Sequence, residues 1–126
     1  MRLLSILCFF LLLSGCFSAE GSPTAEYRKI SSEEAKEMMS ASGVVILDVR
    51  TQEEYDAGHI EGSILIPDFE IAGREEEFFP DKSATILIYC RSGRRSENVA
   101  RALVEKGHTA VYDFGGILDW PYDVIT

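Results

Sequence analysis

Residues 84–101, Ala-Thr-Ile-Leu-Ile-Tyr-Cys-Arg-Ser-Gly-Arg-Arg-Ser-Glu-Asn-Val-Ala-Arg, constrain the fold more than any other stretch. Thr85 to Tyr89 is a short run rich in β-branched and aromatic side chains, and it reads as a buried strand. Cys90 stands where that strand ends. Arg91 to Ser96 contain no apolar residue and form a loop. From Glu97 onward, Val99, Ala102 and Leu103 recur at the spacing of an inward helix face. The stretch is therefore a strand–loop–helix turn with Cys90 at the N-terminal end of the helix.

The rest of the chain repeats that alternation. Tyr27 to Ile30 can form a short strand. Ser31 or Ser32, with Glu34, caps a helix through about Ser40, and Gly43 ends it. Val44-Val45-Ile46-Leu47 is a buried strand running into Asp48-Val49-Arg50. Thr51 starts a short helix with Glu53 and Glu54 in its first turn. The cluster Gly58-His59-Ile60-x-Gly62 turns into a strand from Ser63 to Ile66, stopped by Pro67. Residues 68–79 are acidic and weakly periodic. Their expected inward anchors are Phe69, Ile71, Phe78 and Phe79, with Glu75-Glu76-Glu77 as a solvated helix face.

The helix after Cys90 ends at Gly107. His108 is expected to be exposed, and Thr109 to Tyr112 to form the last strand. Gly115-Gly116 open a short terminal helix carrying a core Trp120 and closed by Pro121. Strands alternating with helices at this spacing predict an α/β fold, a parallel sheet covered on both faces. Ligands of such sheets bind beyond the carboxyl ends of the strands, where Cys90 lies.

The chemistry expected at Cys90 follows from its surroundings. A thiolate, not a thiol, is the nucleophile. Free N–H groups and the dipole at a helix start favour an anion, and Arg91, Arg94 and Arg95 add positive charge within five residues of the sulfur. Gly93 can adopt positive φ and turn successive N–H groups inward. The chain as a whole carries −9, so an anionic substrate must find these arginines against a repulsive global field. The same charge argues against nucleic acid and against a polybasic membrane surface as partners.

The cysteines are Cys8, Cys16 and Cys90, without a Cys-x-x-Cys, and the two histidines, His59 and His108, lie far apart. Neither a zinc site nor a disulfide framework is expected.

Cys90-Arg-Ser-Gly-Arg-Arg-Ser96 resembles the active-site loop of the rhodanese (thiosulfate sulfurtransferase) superfamily. Asp48-Val49-Arg50 and Glu54-Tyr55-x-x-Gly58-His59-Ile60-x-Gly62-Ser63 resemble that family's N-terminal signature, and Gly115-Gly116 with Trp120 its C-terminal one. The resemblance covers roughly residues 27–122. It implies a three-layer fold with a central five-stranded parallel sheet and helices on both faces.

It also implies a sulfurtransferase in which Cys90 takes sulfane sulfur from a small anionic donor and passes it, as a persulfide, to cyanide, a thiol or a protein Cys. Arg91, Ser92, Gly93, Arg94, Arg95 and Ser96 would bind the substrate, with no metal or organic cofactor. His59 would belong to a structural turn. Asp48 and Arg50 are read as structural because an Asp–Arg couple transfers protons poorly.

Two alternatives stand beside this. The fold also hosts Cys-dependent phosphatases and arsenate reductases, which resemble Cys-x-x-x-x-x-Arg; here that last position is Ser96 and the arginine comes one residue early. A non-catalytic binding module is the other, disfavoured by the presence of Cys90.

The N-terminus reads as a targeting segment. Arg2 precedes an apolar run from Leu3 to Leu13, too short to span a bilayer, which takes about 20 residues, but suited to a signal peptide. Leu13-Ser14-Gly15-Cys16 resembles the bacterial lipoprotein box. Residues 1–15 are thus expected to be removed and Cys16 to carry the lipid. Residues 16–26 would be a flexible tether spanning on the order of 17 Å, and 27–126 the domain. Cys90 would then be the sole thiol of a monomeric, extracytoplasmic, membrane-anchored protein. Phe17 in place of an Asp points to the outer membrane of a two-membrane cell.

Overall fold

The computed structural model describes residues 26–126. The expected leader, Cys16 and all but the last residue of the tether lie outside them. In chain order come β1 (Arg28–Lys29), α1 (Ser32–Met38), β2 (Val45–Asp48), α2 (Gln52–Ala57), β3 (Ile64–Leu65), α3 (Ile71–Phe78), β4 (Thr85–Cys90), α4 (Arg94–Glu105) and β5 (Ala110–Gly116), then a 3-10 turn over Ile117–Asp119. The strands form one five-stranded sheet in the order β1-β5-β4-β2-β3, and every pairing is parallel. This is the fold the strand–helix alternation predicts.

Strand β4 is central and buried on both faces, which is why its residues read as a continuous apolar run. Ile86, Ile88 and Cys90 share one cluster with Val99, Ala100 and Leu103 of α4 and with Ile71 and Phe79 at the two ends of α3. Leu87 and Tyr89 point the other way, to Ala35 of α1, Ile60, Phe114 and Trp120. Local signals set the helix starts. Ser31 and Glu34 form a reciprocal capping box on α1, and the Thr51 side chain accepts from the Glu54 N–H at α2.

Several expectations are corrected. Helix α4 begins at Arg94, three residues before the start expected at Glu97. Its first turn is polar and faces the sheet end, so apolar periodicity does not register it. Strand β5 extends past Tyr112 to Gly116, because an acidic residue and two glycines hide its second half.

Phe69 and Phe78 are exposed, at 74% and 38%, while Ile71 and Phe79 are buried as expected. The inward stripe of α3 is Ile71, Glu75 and its C-cap Phe79, four residues apart. Glu75 therefore lies inside, 3% exposed, instead of on a solvated face.

His108 is buried too, at 0%, and its Nε2 lies 2.9 Å from Glu75 Oε2. Lys82 Nζ and Lys106 Nζ reach the same carboxylate at 3.3 and 3.1 Å. Burial opposes the Glu75 charge, but its bonds to His108, Lys106 and Lys82 prevail and hold the carboxyl down to about 2. A glutamate can occupy a core position here because two lysine ammonium groups and a histidine ring nitrogen meet it.

Candidate functional site

Cys90 is the last residue of β4 and is fully buried. The loop beyond it is only Arg91–Gly93. Gly93 caps α4 with φ +100°, a left-handed conformation that costs a residue with a Cβ on the order of 1 kcal/mol or more. That turn aims its own N–H at the sulfur, N to Sγ 3.0 Å. The sulfur thus receives a backbone donor at the start of a twelve-residue helix.

The end of β5 closes against this loop. Cys90 pairs with Gly116, whereas Ile88 pairs with Asp113, so β5 carries one extra residue between those pairings, a bulge. Gly116 comes so near that a Cβ on it would fall 2.1 Å from the Arg91 carbonyl oxygen and 2.8 Å from Ser92 Cα. Leu118 N–H then donates to that same Arg91 carbonyl at 3.3 Å.

The three arginines take different positions. Arg91 and Arg94 are exposed. Arg95 is half-buried and makes a two-pronged ion pair with Glu54 of α2, at 2.9 and 3.0 Å. Bonds to Glu54 hold the Arg95 guanidinium above its usual range despite partial burial; the charges of Cys90 and Asp68 add to this. The same pairing, stronger than the cost of partial burial, keeps the Glu54 carboxyl below its ordinary range. One of the three cations expected to serve the site therefore has an internal partner. On the β1 side of the loop a cleft of about 370 Å³ is lined by Lys29, Ser92, Arg94, Glu97 and Asp113, among others.

Ser96 occupies the sixth position after Cys90, where a guanidinium would sit in the phosphatase pattern. It is fully buried, with Oγ 3.6 Å from Cys90 Sγ, 2.8 Å from Asp113 Oδ1 and 3.1 Å from the Gly93 carbonyl.

Asp48, Arg50 and His59 stand apart from the sulfur's hydrogen bonds. Asp48 and Arg50 form a buried pair with Arg50 Nη2 at 2.7 Å from Asp48 Oδ2, and the same nitrogen donates to the Gly58 carbonyl at 2.7 Å. Burial works against the guanidinium charge, yet the bonds to Asp48 raise it above its ordinary range. His59 stacks on Tyr55 with ring centroids 3.7 Å apart, and its backbone bridges to Ile125. These residues tie the turn before β3 to the sheet and to the chain's end.

Two residues at the site are not read from the sequence as site residues: Asp113, and Glu54, which reads there only as a first-turn helix acid and as the start of the N-terminal signature. Asp113 had a signal: an acidic residue inside Val-Tyr-Asp-Phe, between buried strand positions. Nothing in the sequence joins Glu54 to Arg95, forty-one residues away.

Residues 31–121 match the model of the rhodanese-like domain. Thiosulfate sulfurtransferase PspE of Escherichia coli is 40% identical over 73 residues, 58% of this chain and 70% of that one. Thiosulfate sulfurtransferase GlpE of Coxiella burnetii is 36% identical over 95 residues, 75% and 87% of the two chains. Among solved structures, a rhodanese with anions from E. coli superposes with a TM-score of 0.62 at 35% identity, covering 66% of this chain and 98% of that one. A protein from Staphylococcus saprophyticus, SSP1007, superposes with 0.69 at 32% identity over 79% and 99%. The chain belongs to the rhodanese-like family.

Proposed function

We propose that this protein is a sulfurtransferase acting through a persulfide on Cys90. The observation that carries the reading is the sulfur itself, at the carboxyl end of the central strand, 3.0 Å from the Gly93 N–H and beside exposed Arg91 and Arg94. That is a site for an anionic sulfur reagent.

In the donor step, the Cys90 thiolate attacks the outer sulfur of thiosulfate. A new S–S bond forms, the bond to sulfite breaks, and sulfite leaves with the electron pair. In the acceptor step, cyanide or a thiolate attacks the outer persulfide sulfur and Cys90 leaves as the thiolate. Charge is conserved and no outside oxidant or reductant enters. Gly93 N–H and the start of α4 stabilise the anionic sulfur, while Arg91 and Arg94 draw in the donor dianion. Similarity to the two thiosulfate sulfurtransferases above supports thiosulfate as donor.

The test is intact mass after exposure to thiosulfate and removal of excess donor. The protein should gain one sulfur atom, lose it on addition of cyanide with release of thiocyanate, and fail to gain it as Cys90→Ser. Absence of the gain in the folded parent sinks the reading.

We further propose that Cys16 is lipidated and that the domain works outside the cytoplasm, tethered to a membrane as a monomer. The support is the Leu-Ser-Gly-Cys box after an apolar core too short to span. Cys16→Ser should abolish acyl labelling and release the protein from membranes. Retained label refutes the anchor.

A further inference from the structure

Asp113 is a buried carboxylate, 3% exposed, and the reaction above makes no use of it. It lies on β5 in register with Ile88, two residues before Cys90 on the neighbouring strand, and the bulge follows it. Its Oδ1 accepts from the Gly115 N–H at 3.0 Å and from the Ser96 hydroxyl at 2.8 Å.

A serine hydroxyl has one proton. Four acceptors surround that of Ser96: Asp113 Oδ1 at 2.8 Å, the Gly93 carbonyl at 3.1 Å, the Gly115 carbonyl at 3.4 Å and Cys90 Sγ at 3.6 Å. A hydrogen bond to a carboxylate is roughly twice as strong as one between neutral groups. The carboxylate is also the nearest. The proton therefore goes to Asp113, and the oxygen's lone pairs are left toward the sulfur, able to accept from an S–H.

We propose that Asp113 is a positioning residue that holds the Ser96 hydroxyl proton away from Cys90, so that Ser96 receives a hydrogen bond from the thiol and withholds one from the thiolate. This rests on the reading of Cys90 as the reacting sulfur. Gly93 N–H then remains the donor to the anion. Among the described residues, the charged groups around the sulfur are Arg91 on the loop, Arg94 and Arg95 on α4, the last tied to Glu54 of α2 and near Asp68 beyond β3, and Asp113 on β5. A thiolate stabilised less is a stronger nucleophile and a poorer leaving group. Asp113 thus favours loading of sulfur over its release.

The experiment is iodoacetamide alkylation of the full-length chain across pH, read by mass at the peptide holding Cys90. It requires no sulfur transfer, so its outcome is separate from that of the persulfide test. With the carboxylate neutralised in Asp113→Asn, the hydroxyl can turn to the sulfur anion, and the half-maximal pH should fall by on the order of one unit. Ser96→Ala, which deletes the thiol's acceptor, should also lower it. In the Ser96→Ala background, Asp113→Asn should add nothing further. A rise in the Ser96→Ala midpoint would show that the hydroxyl donates to the sulfur, and the inference fails. An equal Asp113→Asn shift with and without Ser96 would reduce Asp113 to a through-space charge and also overturn it. If Asp113→Asn does not fold, the sign of the Ser96→Ala shift decides alone.

Discussion

The two ends of the sheet each bury a carboxylate and satisfy it in opposite ways. Before β4 and β5, Glu75 meets His108, Lys82 and Lys106, so the buried charge is matched by two lysine cations and a ring nitrogen. Near the carboxyl end of β5, Asp113 meets one hydroxyl and one backbone N–H and, among the described residues, no cation. Around the first end both lysines are held by Glu75, and the arrangement serves the fold. Around the second, Arg91 and Arg94 stay exposed beside a buried sulfur, and the unpaired acid sits one side chain away from it. A buried ionic group thus says little about function until its partners are counted.

The largest effect expected is at the site end, from a change of one methyl group. Gly116→Ala places a Cβ against the Arg91 backbone, which cannot swing aside as a flexible side chain would. The loop must move, and a displacement on the order of 1 Å costs about a hundredfold in turnover. Thiosulfate:cyanide kinetics on protein whose circular dichroism matches the parent will measure it. Unchanged turnover would show that the loop's seat against β5 is not needed.

Glu75→Gln should act on stability and leave the reaction alone. Removing the anion strands His108 and the two lysines, at a cost of about 3 kcal/mol; Lys82 and Lys106 retain access to water, which keeps the figure at the low end for a broken buried pair. The pH dependence sharpens this. The folded-state value, about 2, lies below the ordinary 4.5, so the contribution is present above pH 4.5 and is lost as pH falls toward 2. Urea unfolding at pH 7 and pH 3 should show the parent losing stability that the variant never had. Parallel curves for the two proteins would contradict the ion cluster as the source.

A smaller effect should follow from Glu54→Gln, which takes the internal partner from Arg95. Exposed and half-exposed pairs are worth at most about 1 kcal/mol, so KM for thiosulfate should fall by about two- to fivefold with kcat nearly constant. An unchanged or higher KM would mean that Arg95 is needed where Glu54 holds it.

The sequence alone determined the alternating architecture, the position of Cys90 at a strand–helix turn, the caps at Ser31 and Thr51, and the family. These features depend on neighbours a few residues apart: periodicity, turn chemistry and motif spacing act within one element and its flanks. Tertiary structure decided which polar residues lie inside. Glu75 and His108 read as solvated and are buried together across thirty-three residues of chain, and Arg95 reads as a third site cation but is claimed by Glu54. Asp113 reads as an oddity within a strand and becomes a partner of Ser96 only when β5 docks beside β4 with its bulge. The physical reason is common to all of these. A charged side chain is buried when a partner from another element meets it there, and such a meeting depends on how the strands and helices pack, which no local pattern encodes.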